Sequence, residues 1–228
     1  MTPSIIVFPG SNCDNDIFNS IKSIYGLNPN LIWYQDAIPN RTELIIIPGG
    51  FSFGDYLRCG AIAAKSKILK QINEFIKKGT PVIGICNGFQ VLTEANFLPG
   101  TLLMNKNLKF ICKSVNLSVV NSDSSFTNLF NKNETINLPI AHKVGNYYIN
   151  ENGLEKLVSN NQVIFRYSSE SGSCNQHSNP NGSVFNIAGI INEKGNVMGM
   201  MPHPERYYNN KDKDIIMKKI IESLSNVR

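Results

Sequence analysis

At 228 residues, with 42% hydrophobic and 17% charged side chains, the chain has the make-up of a globular protein with room for one sizeable core. Its net charge of +5 is dispersed; the densest basic stretch, Lys211 to Lys219, alternates with acids and apolar residues, which argues against a nucleic-acid-binding stripe. No apolar run approaches the roughly 18 residues of a membrane span, and the five widely spaced cysteines (Cys13, Cys59, Cys86, Cys112, Cys174) form neither a disulfide framework nor a zinc motif.

The amino terminus lacks a basic n-region and enters a strand at once, Ser4 to Phe8, so no signal peptide and a cytoplasmic location are expected. After Pro9-Gly10-Ser11-Asn12 the pattern predicts a helix from Asp14 to Tyr25, capped by Asn12 or Asp14 and ended by Gly26. Leu31 to Tyr34 reads as a second strand. Leu44-Ile45-Ile46-Ile47 is continuously apolar, the mark of a strand covered on both faces. Pro48-Gly49-Gly50 and a loop to Gly60 follow, then a helix expected from Ala61 to Lys77. Val82 to Ile85 is a buried strand entered through Pro81, and beyond Cys86 the spacing of Phe89, Val91 and Leu92 turns helical.

Past Pro99-Gly100 the chain becomes mostly β. Strands are expected at Phe110 to Val120, Ile136 to Ala141, Tyr147 to Ile149, Gln162 to Tyr167, Ile187 to Asn192 and Val197 to Met201. A short helix runs from Glu151 to Ser159 and a last one from Asp212 to Leu224; Asn181-Gly182 and Lys194-Gly195-Asn196 suit hairpin turns, and Ser168 to Asn181 reads as a mobile polar loop. No repeat or linker appears, so residues 1–228 are expected to be one domain. Strands alternating with helices indicate a doubly wound α/β fold with a mostly parallel sheet, helices on both faces, and added antiparallel strands in the C-terminal half; a ligand would sit at the carboxyl ends of the parallel strands.

Cys86 falls at the turn between a buried strand and a helix, with Gly84 two residues before it and Gly88 two after. This is the nucleophile-elbow pattern, with sulfur in place of serine oxygen. The glycines have a steric reason: so sharp a turn brings strand and helix backbones too close for a Cβ. The helix's first N–H groups also face the sulfur. Most buried cysteines are merely small apolar residues, so the reading depends on a partner. Near the other end of the chain, His203 stands between two prolines and is followed by Glu205. Proline biases His203 to an extended backbone, and residues i and i+2 of an extended segment point the same way. Glu205 can then accept the Nδ1–H of His203 and leave Nε2 for the nucleophile. His142 follows a strand and could also face a site; His177 lies in the polar loop and is expected to be solvated; neither has a carboxylate at i+2. Acyl transfer further needs an oxyanion hole, for which the backbone amides of Asn87 and of the Gly49-Gly50 turn, Gly50 foremost, are the candidates. No P-loop spacing occurs, and no nucleotide site is found.

Gly84-Ile85-Cys86-Asn87-Gly88-Phe89-Gln90 with the distant His203-Pro204-Glu205 resembles the class I (triad) glutamine amidotransferases, a flavodoxin-like family. Four longer stretches, Phe8 to Asp14, Pro48 to Ala63, Asn105 to Cys112 and Gly195 to Arg206, are similar to the glutaminase subunits of phosphoribosylformylglycinamidine synthases. The resemblance implies L-glutamine as substrate and a glutamyl thioester on Cys86. It also implies ammonia delivery to a large synthetase subunit that holds ATP and magnesium, with a small accessory subunit beside it. No cofactor or metal is expected on this chain. Gly49, Gly88, Gln90 and His142 would line the glutamine pocket, and the Phe51 to Arg58 loop would face the partner. One departure is Lys143-Val144-Gly145, where the family usually has Gly-Glu-Gly.

Overall fold

The computed structural model describes residues 1–26, 28–207 and 215–225. The element order is β1 (Pro3–Val7), α1 (Asp14–Tyr25), β2 (Asn30–Trp33), β3 (Leu44–Ile47), α2 (Ala61–Ala64), α3 (Lys67–Lys77), β4 (Val82–Ile85), α4 (Asn87–Glu94), β5 (Thr101–Met104), β6 (Ile111–Val119), β7 (Thr135–His142), β8 (Val144–Tyr148), α5 (Glu151–Ser159), β9 (Val163–Ser168), β10 (Ile187–Ile191), β11 (Val197–Met200) and α6 (Ile215–Ser225).

Nine strands form one sheet in the order β2-β1-β3-β4-β11-β10-β9-β6-β7. The first five are mutually parallel and the rest antiparallel. The parallel half is the doubly wound part, with strand order reversing at β1. Its central strands carry apolar residues on both faces because helices cover them; every residue of β3 and β4 is buried. α3 shows why its sequence is helical: Ile68, Leu69, Ile72 and Ile76 fall on one buried stripe while lysines and Glu74 face outward.

The sheet register explains how residues far apart in sequence meet. Gly84 of β4 lies beside Ile47 of β3 on one side and Gly199 of β11 on the other. The residues just beyond these strands therefore emerge together: Gly49-Gly50 after β3, Cys86 after β4 and His203 after β11. The Cys86 N–H donates to the Met200 carbonyl at 2.8 Å, so this register holds to the last residue of β11. β7, at the far edge, reaches back over the same strand ends: its Pro139 carbonyl accepts the His203 N–H at 2.9 Å.

Several expectations need correction. The helix expected over residues 61–77 is two helices: Ser66 is extended and its hydroxyl donates back to the Ala63 carbonyl, competing with the helical ladder. No side chain caps α1, whose N-cap is Cys13, although Gly26 ends it in the left-handed conformation as expected. β5 was not expected; it pairs with β8 in a separate two-stranded sheet, and with only Leu102 buried it carries little apolar signal. Asn181-Gly182 does not close a hairpin; it sits in the long connection between β9 and β10, whereas Lys194-Gly195-Asn196 does turn β10 into β11. The polar stretch 168–181 is laced with hydrogen bonds, including a reciprocal cap between Asn175 and Ser178. The expected start of the last helix, Asp212, lies outside the described residues.

Candidate active site

Cys86 sits at the elbow with φ 52° and ψ −104°, a conformation that side-chain-bearing residues rarely hold and that the surrounding packing must enforce. The enforcement is visible at the two glycines. A Cβ on Gly84 would meet Leu92 Cδ1 at 2.5 Å and the Gly88 carbonyl oxygen at 2.7 Å, and a Cβ on Gly88 would overlap the Ile47 carbonyl oxygen. Helix α4 can press onto β3 and β4 only because both positions lack side chains. Cys86 is buried, with its Sγ 3.8 Å from the Ala141 carbonyl of β7.

His203 and Glu205 pair as expected, but by a different local geometry: the chain is not extended past His203, and Glu205 sits in a 3₁₀ turn, Pro204–Tyr207, that swings its carboxylate back to the ring. The Nδ1 of His203 lies 2.7 Å from Glu205 Oε1, and both side chains are at most 1% exposed. Among the described residues, Nε2 of His203 is buried without a hydrogen-bond partner. Burial pulls the basicity of this ring down, but the Glu205 carboxylate and the thiols of Cys86 and Cys13 outweigh it, holding the pKa well above 6.5.

Gly49 is wedged among these groups: a Cβ there would lie 2.8 Å from His203 Cε1, 3.0 Å from Cys13 Sγ and 3.5 Å from Cys86 Cβ. Gly50 (φ 144°) bridges Ser11 and lines the same cavity. Among the described residues, neither the Gly50 nor the Asn87 backbone N–H has an acceptor, as two oxyanion donors require. The Asn87 side chain pins the site's rim, accepting from the Ser52 N–H at 3.1 Å and donating to Gln90 Oε1 at 2.8 Å.

A cavity of about 300 Å³ opens on Cys86, lined also by Gly50, Phe51, Asp55, Gln90 and His142. Lys143 also lines it, opposite in charge to Asp55. Gln90 sits in the wall with its amide committed, Nε2 donating to the Val144 carbonyl at 2.6 Å. Gly88 serves the elbow's packing, and nothing in the geometry gives it a place in the cavity wall. His142 is buried, its Nδ1 3.1 Å from Asn105 Oδ1; burial, together with the charge on His203, lowers its pKa to about 4 and keeps it neutral. His177 is exposed, as expected for the polar loop.

The competing thiols differ from Cys86. Burial and the carboxylate of Asp55 push Cys59 up to about 12, which leaves it a thiol. Cys13, in the Asn-Cys-Asp motif, was assigned no role from sequence. Its Sγ accepts from an Arg206 guanidinium N–H at 3.3 Å and lies within 4.8 Å of ligand atoms of His203 and Glu205. Asp55 and Asn105 were likewise unassigned. Both lie inside motif stretches singled out for their resemblance, but only the tertiary contacts give them neighbours in the site.

Residues 3–226 match the model of the CobB/CobQ-like glutamine amidotransferase domain family. Among solved structures, the chain is similar to PurLQS from Thermotoga maritima, at 42% identity and TM-score 0.85 over 99% of this chain and 98% of that one. A putative GMP synthase protein from Thermoplasma acidophilum (15% identity, TM-score 0.61, covering 100% and 96% of the two chains) shares the fold. So does a glutamine amidotransferase from Thermotoga maritima (18%, TM-score 0.56, 99% and 89%). The expected α/β fold is thus that of an established group, and the chain belongs to the CobB/CobQ-like glutamine amidotransferase domain family.

Proposed function

We propose that the chain is the glutaminase subunit of a phosphoribosylformylglycinamidine synthase, acting as one domain in the cytoplasm and handing ammonia to an ATP-using synthetase chain. The observation that carries the reading is the juxtaposition of Cys86 with the buried His203–Glu205 pair at adjacent strand ends, in a chain 42% identical to PurLQS along almost its whole length. In this mechanism the Cys86 thiol gives its proton to His203 Nε2 as Sγ attacks the carboxamide carbon of L-glutamine. The N–H groups of Gly50 and Asn87 stabilise the oxyanion. The His203 imidazolium gives its proton to the departing nitrogen, so ammonia leaves and a γ-glutamyl thioester remains on Cys86. His203, now neutral, takes a proton from water, whose oxygen attacks the thioester and releases glutamate. Glu205 keeps the proton on Nδ1 and steadies the imidazolium. Gln90 and His142 shape the substrate side, Gly49 leaves room beside His203 and Cys86, and the charges of Asp55 and Lys143 suit the ends of a zwitterionic amino acid. This chain needs no metal or cofactor for these steps; ATP and magnesium belong to the synthetase.

The loop beside the cavity supports a partner there. Leu57 is 91% and Tyr56 74% exposed, large surfaces that follow directly on Asp55 of the cavity wall. We assign this loop to the synthetase interface, with a small accessory subunit completing the complex. Co-purification with the synthetase chains, followed by formylglycinamide ribonucleotide amidation driven by glutamine, tests the reading. Amidation with free ammonia but never with glutamine would overturn it. The lone chain is expected to be a poor glutaminase, and full activity without the synthetase would refute that.

A further inference from the structure

The cavity wall contains a buried group that the triad does not use. His142 is 3% exposed and lines the cavity, and its Nε2 has no hydrogen-bond partner. Its other nitrogen is tied to Asn105, which is fully buried and whose amide orientation is settled by its neighbours. Nδ2 of Asn105 donates to the carbonyls of Lys109 and His142, each at 2.9 Å, and Oδ1 accepts the Gly145 N–H at 3.2 Å. The atom facing His142 Nδ1 at 3.1 Å is therefore an acceptor, so the proton of the neutral ring must be on Nδ1. Gly145 closes the clamp, because a Cβ there would overlap the imidazole. Among the described residues Nε2 is left as a buried lone pair without a donor, on a residue that lines the cavity holding Cys86.

We propose that Asn105 is a positioning residue that locks His142 with its proton on Nδ1, so that Nε2 accepts from the substrate's carboxamide N–H and the site reads an amide against a carboxylate. The inference rests on glutamine being the substrate. A carboxamide brings two N–H donors, whereas the product's carboxylate brings only lone pairs, which Nε2 repels. The wall thus favours glutamine on entry and glutamate on departure, with no charge placed in a buried site.

Two measurements test this. With three histidines in the chain, ¹⁵N NMR of the histidine-labelled full-length protein resolves the tautomers; a protonated Nδ1 and bare Nε2 at His142 are expected, and a protonated Nε2 would overturn the proposal. Kinetically, thioester formation is followed with the synthetase chains present, using glutamine and glutamate γ-methyl ester, which has no N–H on its leaving group. His142→Leu should lower kcat/KM for glutamine about 10- to 100-fold more than it lowers kcat/KM for the ester, the difference expected for one buried hydrogen bond. His142→Gln, which keeps an acceptor, should recover part of the loss. Equal losses on both substrates would mean a merely structural role and overturn the assignment while leaving the glutaminase reading intact. A wild-type complex that takes the ester but never glutamine would overturn both.

Discussion

Glu205→Gln is the sharpest test of the active site, because it keeps the shape and removes one charge. The carboxylate lies 2.7 Å from Nδ1 of His203 in a region closed to solvent. At an effective dielectric of about 20, the attraction between the two charges is on the order of 6 kcal/mol, before several kcal/mol of desolvation are set against it. That balance keeps His203 above 6.5 despite burial. With glutamine at 205, burial remains and the ring's pKa falls below its ordinary value. The amide can also stabilise the wrong tautomer, so kcat for glutamine hydrolysis should fall about 10³- to 10⁴-fold. The pH profile is the discriminating assay. Proton donation to the leaving nitrogen fails once the ring deprotonates, so the alkaline limb should move to lower pH in the variant; this limb belongs to the Cys86–His203 pair jointly. Stability follows with a definite sign. A histidine whose folded pKa is raised stabilises fully below about pH 6.5 and loses that contribution as pH rises through the folded value. The melting-temperature gap between wild type and variant should therefore be widest on the acid side and close at alkaline pH. An unmoved alkaline limb, or a gap that widens with pH, would refute the reasoning.

Other substitutions probe separate parts of the site. Cys86→Ala should abolish glutamine turnover and labelling by a glutamine-analogue electrophile, while Cys59, held as a thiol with its pKa near 12, stays unlabelled by mass spectrometry; label on Cys59 or Cys13 would contradict the assignment. Gly88→Ala should cost about 2–4 kcal/mol in denaturant unfolding, because its Cβ would overlap the Ile47 carbonyl and α4 must move off the sheet. Gly49→Ala, whose Cβ would crowd His203 Cε1 at 2.8 Å, should lower kcat far more than it lowers the denaturation midpoint; the reverse ratio would make Gly49 a folding residue only.

Local chemistry determined much of this protein. The continuous apolar run Leu44–Ile47 reads as a strand covered on both faces, and Gly84-x-Cys86-x-Gly88 reads as a tight turn from strand to helix, which is how β3, β4 and α4 are built. The His203–Glu205 pair is expected from an extended backbone; the 2.7 Å contact is there, but Glu205 lies in a 3₁₀ turn, Pro204–Tyr207, so the turn brings the carboxylate to the ring and not the alternation of an extended segment. Short-range signals failed where packing decided. Ser66 broke an expected helix through one hydroxyl, and β5, with one buried residue, exists through its pairing with β8. The meeting of Cys86 with His203 required the parallel register of β4 and β11, which no stretch of either strand encodes alone. The same holds for Cys13 beside His203 and for Asn105 clamping His142: a hydrogen bond between residues 37 positions apart is fixed by the strands that carry them, and only the folded sheet sets those strands side by side.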